Sequence, residues 1–410
     1  MLARADFPYL QSFVINDAYA VKNLTVPIFE GAEFKHLILT GKNGSGKTTV
    51  LRAVEYLMVH DTSNNQSAAN TVAGYRNLLN DPAHDNATKN NWRLHLGKLT
   101  QVSLVFSKDI SLPQTRFANL KDEFILSFFE AIRKVVLKDV QTITKEADLI
   151  TQLAQNNSDN SPATLFKQYL VNKKVFQVFD VMEGNNEVAQ QQEKFFTDLE
   201  IMLREIFDAP QLKLEFERES FEFYLRLEDG RRVTFNELSA GFSAFLSILT
   251  DLLLRTDILR KQANDYNYDP CGFVFIDEPE THLHLEMQYQ ILPWLTRLFP
   301  NLQFIVATHS PAVASSIKNA TVFDLTTGQV LGDTAAGSSY SELMLTHFGV
   351  KDEYSNVADE ILASINRIVA LPDAAQAKKE LEALLVAQGH YMSPGLLLEV
   401  EGQLIGLQGA

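Results

Sequence analysis

The chain has 410 residues, 46% of them hydrophobic, and its 36 basic and 51 acidic residues give a formal net charge of −15. That balance excludes a generally basic surface for nucleic acid, although a local basic groove stays open. The single cysteine, Cys271, excludes an intrachain disulfide and a cysteine-based zinc site; we expect a small core residue in a reducing, cytoplasmic compartment. Neither an apolar run approaching about 18 residues nor a signal-peptide core is present, so no membrane span is expected.

The first part of the chain predicts strands followed by a glycine-rich loop. Residues 9–30 break short apolar stretches with polar residues, which is typical of two antiparallel strands. The apolar run His36–Thr40 predicts a further strand, and Val50–Met58 predicts a helix. Between them, Gly41–Thr49 reads GKNGSGKTT and fits the pattern G-x-x-x-x-G-K-[ST]. A glycine-rich surface turn is the alternative, but the strand–loop–helix context favours a phosphate-binding loop.

The residue types in this loop suit a nucleotide triphosphate. Glycine-rich backbone can wrap a phosphate with its N–H groups, and the start of a helix attracts an anion. Lys47 can reach the β- and γ-phosphates, and the Thr48 hydroxyl can ligate Mg²⁺. We therefore predict ATP and Mg²⁺ as ligands. The predicted nucleotide-binding residues here are Gly41, Asn43, Gly44, Ser45, Gly46, Lys47, Thr48 and Thr49.

The middle of the chain changes character several times. Residues 60–93 are rich in Asn, Asp, Ser and Ala and predict a long surface excursion, followed by a strand at Gln101–Phe106 that returns to the sheet. The apolar residues of 124–137 indicate a broad helical face, and 145–205 continues with helix-compatible sequence interrupted at Asn156–Pro162. Residues 211–234 then alternate with period two around an Asp229–Gly230 turn, which predicts strands and a hairpin.

The last part predicts buried strands alternating with helices. The predicted elements are a helix through Leu254, a buried strand at 272–276, a helix at Glu286–Leu298, a buried strand at Leu302–Ala307, closing strands at 321–325 and 329–331, and helices from Ser341 onward. The predicted domains are residues 1–117 as the first ATPase lobe, 118–210 as a mostly helical insertion, 211–345 as the second lobe and 346–410 as a helical C-terminal region.

Polar residues follow both buried strands, where an α/β sheet presents its ligand-binding groups. Asp277 would hold Mg²⁺ through water, and Glu278 would polarise the attacking water as general base. A plain strand-to-turn exit is the alternative for this pair, and the phosphate loop argues against it. His309 ends the next strand and could hydrogen-bond the γ-phosphate. We favour that sensor role over a histidine satisfied within its turn.

The motifs Gly41–Thr48, Leu238–Phe242 and Phe273–Glu278, with His309, resemble the ABC-type ATPase head. That group includes transporter motors, SMC-like proteins, RecF-like repair proteins and the overcoming-lysogenization-defect (OLD) group. The resemblance implies an α/β P-loop NTPase with a mixed sheet, antiparallel N-terminal strands, a helical insertion and a helical C-terminus. It also implies that Ser239 and Gly241 of one subunit contact the γ-phosphate bound to another. The active form would then be at least a homodimer. Ala240 and Phe242 replace the commoner Gly and Gln.

Two further details come from the same resemblance. ABC heads place a metal-binding glutamine after the strand that follows the phosphate-loop helix; we choose Gln114 for it, although it could be an ordinary polar loop residue. The segment Glu278–His284 resembles an element of OLD-like ATPases. Its His282 and His284 could be read as a metal pair, but a third ligand is missing. We prefer a role in a loop that meets the neighbouring subunit.

The spacing of the motifs separates the subgroups. The interval from Thr48 to Leu238 is longer than in a compact transporter motor and too short for the coiled coil of SMC proteins. Leu398–Gly402 faintly resembles the opening of a Toprim nuclease, but no D-x-D follows, so we expect no intrinsic nuclease. The chain resembles standalone ATPase subunits of bacterial antiphage systems of the Septu and PARIS types. These imply a homo-oligomer that controls a separately encoded effector, often a nuclease. A RecF-like DNA repair ATPase is the main alternative and a transporter motor is the third.

Overall fold

The computed structural model describes residues 2–63, 68–111, 116–120, 123–132, 139–145, 148–149, 162–238, 240–265, 267–331 and 356–408. The strands are β1 Leu10–Ala18, β2 Val21–Pro27, β3 His36–Thr40, β4 Val102–Phe106, β5 Ile125–Phe129, β6 Lys213–Glu217, β7 Glu222–Arg226, β8 Arg232–Thr234, β9 Gly272–Asp277, β10 Leu302–Ala307, β11 Ala320–Asp324 and β12 Gln329–Val330.

Helices cover much of the remaining chain. They are α1 Lys47–Ser63, α2 Ala68–Asn80, α3 Asn86–Leu99, α4 Phe117–Leu120, α5 Pro162–Glu183, α6 Asn186–Ile206, α7 Ala240–Ala263, α8 Leu285–Leu298, α9 Pro311–Ala314, α10 Asn356–Val369, α11 Ala374–Gln388 and α12 Pro394–Gln408. Short 3₁₀ helices lie at Phe235–Glu237 and Gly389–Tyr391. None of the helices in the described ranges combines the length and apolar character needed to cross a membrane.

The largest sheet has six strands in the order β12-β11-β3-β10-β9-β5. All neighbours pair in parallel except β12, which runs antiparallel to β11. Every residue of β3, β9 and β10 is buried, because a parallel sheet is covered on both faces and its central strands are continuously apolar. This order brings the C-terminal ends of β3, β9 and β10 together at one edge of the sheet.

A second sheet, in the order β2-β1-β4, is antiparallel and confirms the two predicted N-terminal strands. The strand predicted at Gln101–Phe106 is also present, but it pairs with β1 in this sheet and not with the parallel one. The buried amide of Gln303 in β10 joins the two sheets: it accepts from the Leu10 N–H at 2.9 Å and donates to the carbonyls of Leu10 and Lys35, both at 2.8 Å. The predicted strands of 211–234 form the third sheet, β6-β7-β8.

The surface excursion predicted for residues 60–93 is confirmed in its exposure, since α2 has no buried residue and α3 buries only Leu99. Its loop character is wrong, because these two helices occupy most of it. Asn- and Ser-rich sequence favours loops because these side chains compete for backbone hydrogen bonds. Here Asp85 instead caps α3 by accepting from the Thr88 N–H at 2.8 Å, and Val72 and Tyr75 of α2 pack against the core. The Asp85 N-cap was a readable helix-start signal.

The helical interpretation of residues 124–129 is also wrong, because they contain β5, which pairs in parallel with β9. A short continuous apolar run fits a buried helix or a buried strand equally well. The neighbouring strand decides the outcome: Gly272 of β9 lies opposite Ile125 and leaves no room for a side chain between the two backbones. Of the remaining residues of that interpretation, Ile132 is exposed and lies in no helix, and Val135, Val136 and Leu137 lie outside the described residues.

Within the stretch 145–205 predicted as helix-compatible, helices α5 and α6 bear out residues 162–205. Residues 150–161, with the predicted interruption at Asn156–Ser161, lie outside the described residues. The helices α5 and α7 share a buried ionic contact. Lys173 donates to Asp257 Oδ1 at 2.9 Å, and the Tyr169 hydroxyl also donates to the Asp257 carboxylate. Burial alone would raise the pKa of Asp257, but Lys173, Lys261 and the Tyr169 hydroxyl outweigh it and hold that pKa below its usual value.

Residues Met1–Leu343 and Met344–Ala410 form two compact units. The second unit contains α10–α12, and the predicted positions Ile361, Ile365, Ile368 and Leu381 form its core. In the first unit, Cys271 is fully buried as predicted, and burial raises the pKa of its thiol to about 11. The proposed domain boundaries at 117, 210 and 345 stay predictions.

Candidate functional site

The phosphate loop connects the C-terminal end of β3 to the start of α1. Its three glycines, Gly41, Gly44 and Gly46, have φ values of +135°, +77° and +93°, which only glycine adopts without strain. A Cβ on Gly41 would lie 2.9 Å from Thr326 Oγ1, whereas a Cβ on Gly44 would meet no atom within 4 Å. The loop is therefore packed tightly on its sheet side and open at Gly44.

Lys47 points its ammonium back into this loop. Its Nζ donates to the carbonyl oxygens of Gly41, at 2.7 Å, and Lys42, at 3.2 Å. The side chain is buried, which lowers the pKa of the ammonium, and nearby carboxylates, Glu278 first among them, raise it in part. A cation held among loop carbonyls is placed to bind phosphate oxygens.

The loop also contains an unsatisfied polar atom. The Ser45 Oγ is shielded from solvent and has no hydrogen-bond partner in the part of the chain that the structure describes. A buried hydroxyl without a partner costs free energy unless something binds it. An oxygen-rich anion would satisfy this hydroxyl, so the loop fits the phosphates of a nucleotide. Of the other predicted loop residues, Asn43 is exposed and Thr49 is partly buried in the first turn of α1.

The magnesium ligands expected from the sequence lie in contact with each other. The Thr48 hydroxyl, in the first turn of α1, donates to Asp277 Oδ1 at the end of β9, at 3.2 Å. A hydroxyl and a carboxylate beside a phosphate loop are hard oxygen donors of the kind that Mg²⁺ prefers. Thr48 and Asp277 therefore fit this metal. Gln114, the third predicted ligand, lies outside the described residues.

The predicted base and sensor are also neighbours. Glu278 Oε1 lies 3.7 Å from His309 Nε2, and both side chains are about one-third exposed (38% and 33%). Glu278 has a left-handed backbone (φ +46°), and its N–H donates to the Ala307 carbonyl at 2.8 Å. Burial, and then the Lys47 charge, lower the pKa of His309, while Glu278 partly raises it. His309 is therefore a neutral imidazole near pH 7, beside a carboxylate that solvent reaches.

Two residues that sequence reasoning missed support the loop from β11. The Thr326 hydroxyl accepts from the Lys42 N–H at 2.9 Å, and Asp324 Oδ1 accepts from the Thr326 N–H at 2.7 Å. Asp324 is fully buried. The signal was present, because Asp324 follows an apolar strand just as Asp277 does. A third missed residue, Glu280, accepts from the His309 N–H at 2.6 Å.

The structure describes only part of the predicted signature, Leu238–Phe242. Ser239 lies outside the described residues. Gly241 is buried in the first turn of α7, where a Cβ would collide with the His282 carbonyl oxygen. His282 and His284 are both exposed, and His284 directly precedes α8.

A phosphate loop lies between the buried parallel strand β3 and a helix, and an acidic pair follows β9, which is separated from β3 by β10. These features define a P-loop NTPase of mixed α/β class. Residues 88–315 match the family model described as "AAA domain, putative AbiEii toxin, Type IV TA system". This match spans more than half of the chain, and the chain belongs to that family.

Comparison with individual proteins agrees with this assignment. The chain is 39% identical to the "Retron Ec83 probable ATPase" of Escherichia coli over 94 residues, which are 23% of this chain and 17% of that protein. It is 21% identical to the "Septu protein PtuA" of Bacillus mycoides (strain KBAB4) over 314 residues, 74% of this chain and 38% of that protein. The aligned segments thus span well under two thirds of either relative.

A solved structure, the "SmcHead bound to the C-winged helix domain of ScpA", aligns with a TM-score of 0.36 at 12% identity, covering 77% of this chain and 94% of that one.

Proposed function

We propose that this protein binds and hydrolyses ATP with Mg²⁺. The contact between the Thr48 hydroxyl and Asp277 carries the proposal, because it joins the phosphate loop to the acidic end of β9. That contact brings together residues far apart in the sequence, in the arrangement that a metal–nucleotide site needs. Membership of a family of AAA domains supports the same activity.

The geometry supports the following roles. Lys47 and the loop N–H groups bind the phosphates, and Thr48 and Asp277 hold the metal. Bound Mg²⁺ would supply positive charge that offsets the charge of the phosphates. Glu278, partly exposed and next to His309, accepts the proton of the attacking water. The neutral imidazole of His309 donates its one N–H to the γ-phosphate.

Hydrolysis by the Glu278→Gln variant tests these roles. The amide cannot accept a proton from water but leaves Asp277 and the loop unchanged. We expect phosphate release to fall about a hundredfold or more while ATP binding persists. Unchanged hydrolysis would remove Glu278 from the role of base. Glu286→Gln is the matched control, because Glu286 is an exposed acid in the first turn of α8.

We further propose that the site is completed by a second subunit, through Ser239 and Gly241. The packing of Gly241 against the His282 carbonyl supports a fixed start of α7 that a neighbouring nucleotide could meet. Ser239→Arg should block hydrolysis and spare nucleotide binding, and full activity would contradict completion in trans. Light scattering on the wild type and Glu278→Gln, with and without ATP and Mg²⁺, gives the subunit number.

The wider role that we propose is control of a separately encoded effector, often a nuclease in systems of this type, in antiphage defence. Similarity to a retron ATPase and to Septu PtuA supports it. The segment 118–210, which contains α5 and α6, and the C-terminal unit are the candidate surfaces for oligomer and effector contacts. We expect the tagged chain, purified from its native host, to retain a nuclease in a ratio that differs between wild type and Glu278→Gln. Recovery of the chain with DNA and without a protein partner would contradict this role.

One observation favours the alternative, a DNA-binding ATPase. The hairpin α2–α3 carries four cations on its helices, namely Arg76, Lys89, Arg93 and Lys98. None of the four has a carboxylate partner in the described ranges, in a chain whose net charge is −15. The acids of the hairpin, Asp81 and Asp85, lie in its turn. Binding of duplex DNA that weakens with salt and with the double change Lys89→Glu/Arg93→Glu would support this alternative.

A further inference from the structure

Glu280 is a half-buried acid beside the candidate site to which neither the motifs nor the proposed mechanism gives a role. Its Oε1 accepts a hydrogen bond from the backbone N–H of His309 at 2.6 Å. Its second oxygen, Oε2, is shielded from solvent and has no hydrogen-bond partner among the described residues. Burial raises the pKa of this carboxyl, although hydrogen bonds from its own backbone N–H, the His309 N–H and the Thr308 side chain lower it in part.

This arrangement lowers the free energy of unfolding, so stability alone does not explain it. A buried carboxyl oxygen without a partner costs free energy, whereas an amide or a water could accept the same backbone N–H at lower cost. Costly local arrangements are concentrated at functional sites. One of the contacts that Glu280 makes is with the backbone of His309, the residue that faces the proposed base.

Glu278 and Glu280 belong to one tight turn. The Thr281 N–H donates to the Glu278 carbonyl at 3.2 Å, and the Leu283 N–H donates to the Glu280 carbonyl at 2.9 Å. The carboxylate that lies 3.7 Å from the His309 ring and the carboxyl that holds the His309 backbone therefore come from the same short segment. This segment therefore contacts both the ring and the backbone of His309.

The turn that contains His309 is anchored on both sides of the histidine. The Thr308 N–H donates to the Leu39 carbonyl at 3.0 Å, which extends the pairing with β3. The Ser310 hydroxyl donates to Gln288 Oε1 at 2.7 Å, and Gln288 Nε2 donates to the Leu283 carbonyl at 2.9 Å. Between these anchors, the contact from Glu280 holds the His309 N–H itself. Glu280 thus helps to hold the backbone from which the imidazole projects.

We propose that Glu280 is a positioning residue that sets His309 toward the terminal phosphate and so gives the site its preference for a nucleoside triphosphate over a diphosphate. The inference rests on the proposed function, since it takes His309 as the group that meets the γ-phosphate. Glu280 acts only through the His309 backbone. Removing the Glu280 carboxyl weakens recognition of the γ-phosphate. Binding of the α- and β-phosphates, which the loop and Lys47 provide, is unchanged.

The test is the ratio of dissociation constants for ADP and for the non-hydrolysable β,γ-imido analogue of ATP, measured by calorimetry with Mg²⁺. Glu280→Ala should bind ADP like the wild type and lose about tenfold of its preference for the triphosphate, as expected for about 1.4 kcal/mol from one hydrogen bond. Glu280→Gln keeps an acceptor oxygen and should restore the preference. Glu286→Ala, which changes an exposed acid on α8, is the matched control.

The outcomes separate the inference from the function it rests on. The positioning role would be overturned if Glu280→Ala preferred the triphosphate as strongly as the wild type does. It would also be overturned if Glu280→Gln lost as much of that preference as Glu280→Ala. If Glu280→Ala fails to bind ADP, Glu280→Asp takes its place, because it withdraws the oxygen by one methylene and keeps the charge. An unchanged preference in Glu280→Asp would overturn the inference. A wild-type protein that does not distinguish the two nucleotides would contradict the sensor role of His309 and with it part of the proposed function.

Discussion

The backbone N–H of Phe304, in β10, donates a hydrogen bond to Nδ1 of the buried His36 imidazole, at 3.1 Å. This contact lies at the start of β3, the strand that leads into the phosphate loop. Burial lowers the pKa of His36 from 6.5 to about 4, and Arg4 adds to the effect. Protonation of the ring would remove the acceptor and place a charge in the core.

His36 should make the protein sensitive to mild acid. The unfolded chain binds a proton below about pH 6.5 and the folded chain only near pH 4, so this contribution is fully present above pH 6.5 and is lost as the pH falls toward 4. The shift amounts to about 2 kcal/mol of the free energy of unfolding by pH 5. Urea denaturation at pH 7.5 and pH 5 should show a smaller difference for His36→Asn, which keeps an acceptor near Phe304. An equal difference in both proteins would contradict the assignment.

Lys47→Ala should weaken ATP binding by about tenfold to a hundredfold, because a charged hydrogen bond to phosphate is worth about 1.5–3 kcal/mol. Calorimetric titration with ATP and Mg²⁺ measures the loss. Lys42→Ala is the matched control: Lys42 lies in the same loop, its side chain is exposed, and only its backbone contacts the site. Equal affinities for the two variants would argue against the role of the Lys47 ammonium.

Asp257→Ala should destabilise the protein by about 3–5 kcal/mol, because it leaves the buried ammonium of Lys173 without its carboxylate. The double variant Lys173→Met/Asp257→Leu should recover most of that loss, since it removes both charges and fills their volume with apolar groups. Chemical denaturation of the two variants and the wild type gives the comparison. If the double variant is as unstable as the single one, the contact is not an ordinary buried ion pair.

Gly241→Ala should lower the thermal midpoint and reduce hydrolysis, because the added Cβ would collide with the His282 carbonyl and push α7 away from the loop after Glu278. Gly402→Ala in α12 is the control, since a Cβ there meets no atom within 4 Å. In that open helical position alanine should raise stability by about 0.5–1 kcal/mol. A Gly241→Ala protein with normal stability and normal hydrolysis would show that the backbone contact is not needed.

The sequence predicted best the features that depend on local backbone geometry or on the end of a strand. The glycines at 41, 44 and 46 have positive φ, and Asp277 and Glu278 do end a buried parallel strand, because these features follow from local chemistry. The prediction failed where partners come from far along the chain. Residues 125–129 form a strand only because β9 offers them a free edge, and the apolar pattern alone could not reveal it.

Contacts between pairs of residues in the site could not be predicted from the sequence, for the same reason. Glu280 was visible as an acid near Glu278, but nothing in its spacing shows that it contacts the His309 backbone. Thr326 was likewise an ordinary residue after the closing strand, and its contact with Lys42 depends on β11 lying beside β3. Sequence patterns identified the groups that act on the nucleotide more readily than the groups that hold them.

The position of β3 in the sheet affects how the chain acquires its fold during synthesis. The neighbours of β3 in the sheet are β10 and β11, both made more than half a chain later. Until the ribosome has released residues through Ala307, the hydrophobic strand His36–Thr40 has no partner in its own sheet. Its second neighbour, β11, and the contact between Lys42 and Thr326 come later still. Such long-range pairing makes folding slow and exposes a strand to aggregation meanwhile. Nascent chains arrested before Ala307 should therefore depend on chaperones and should not bind nucleotide.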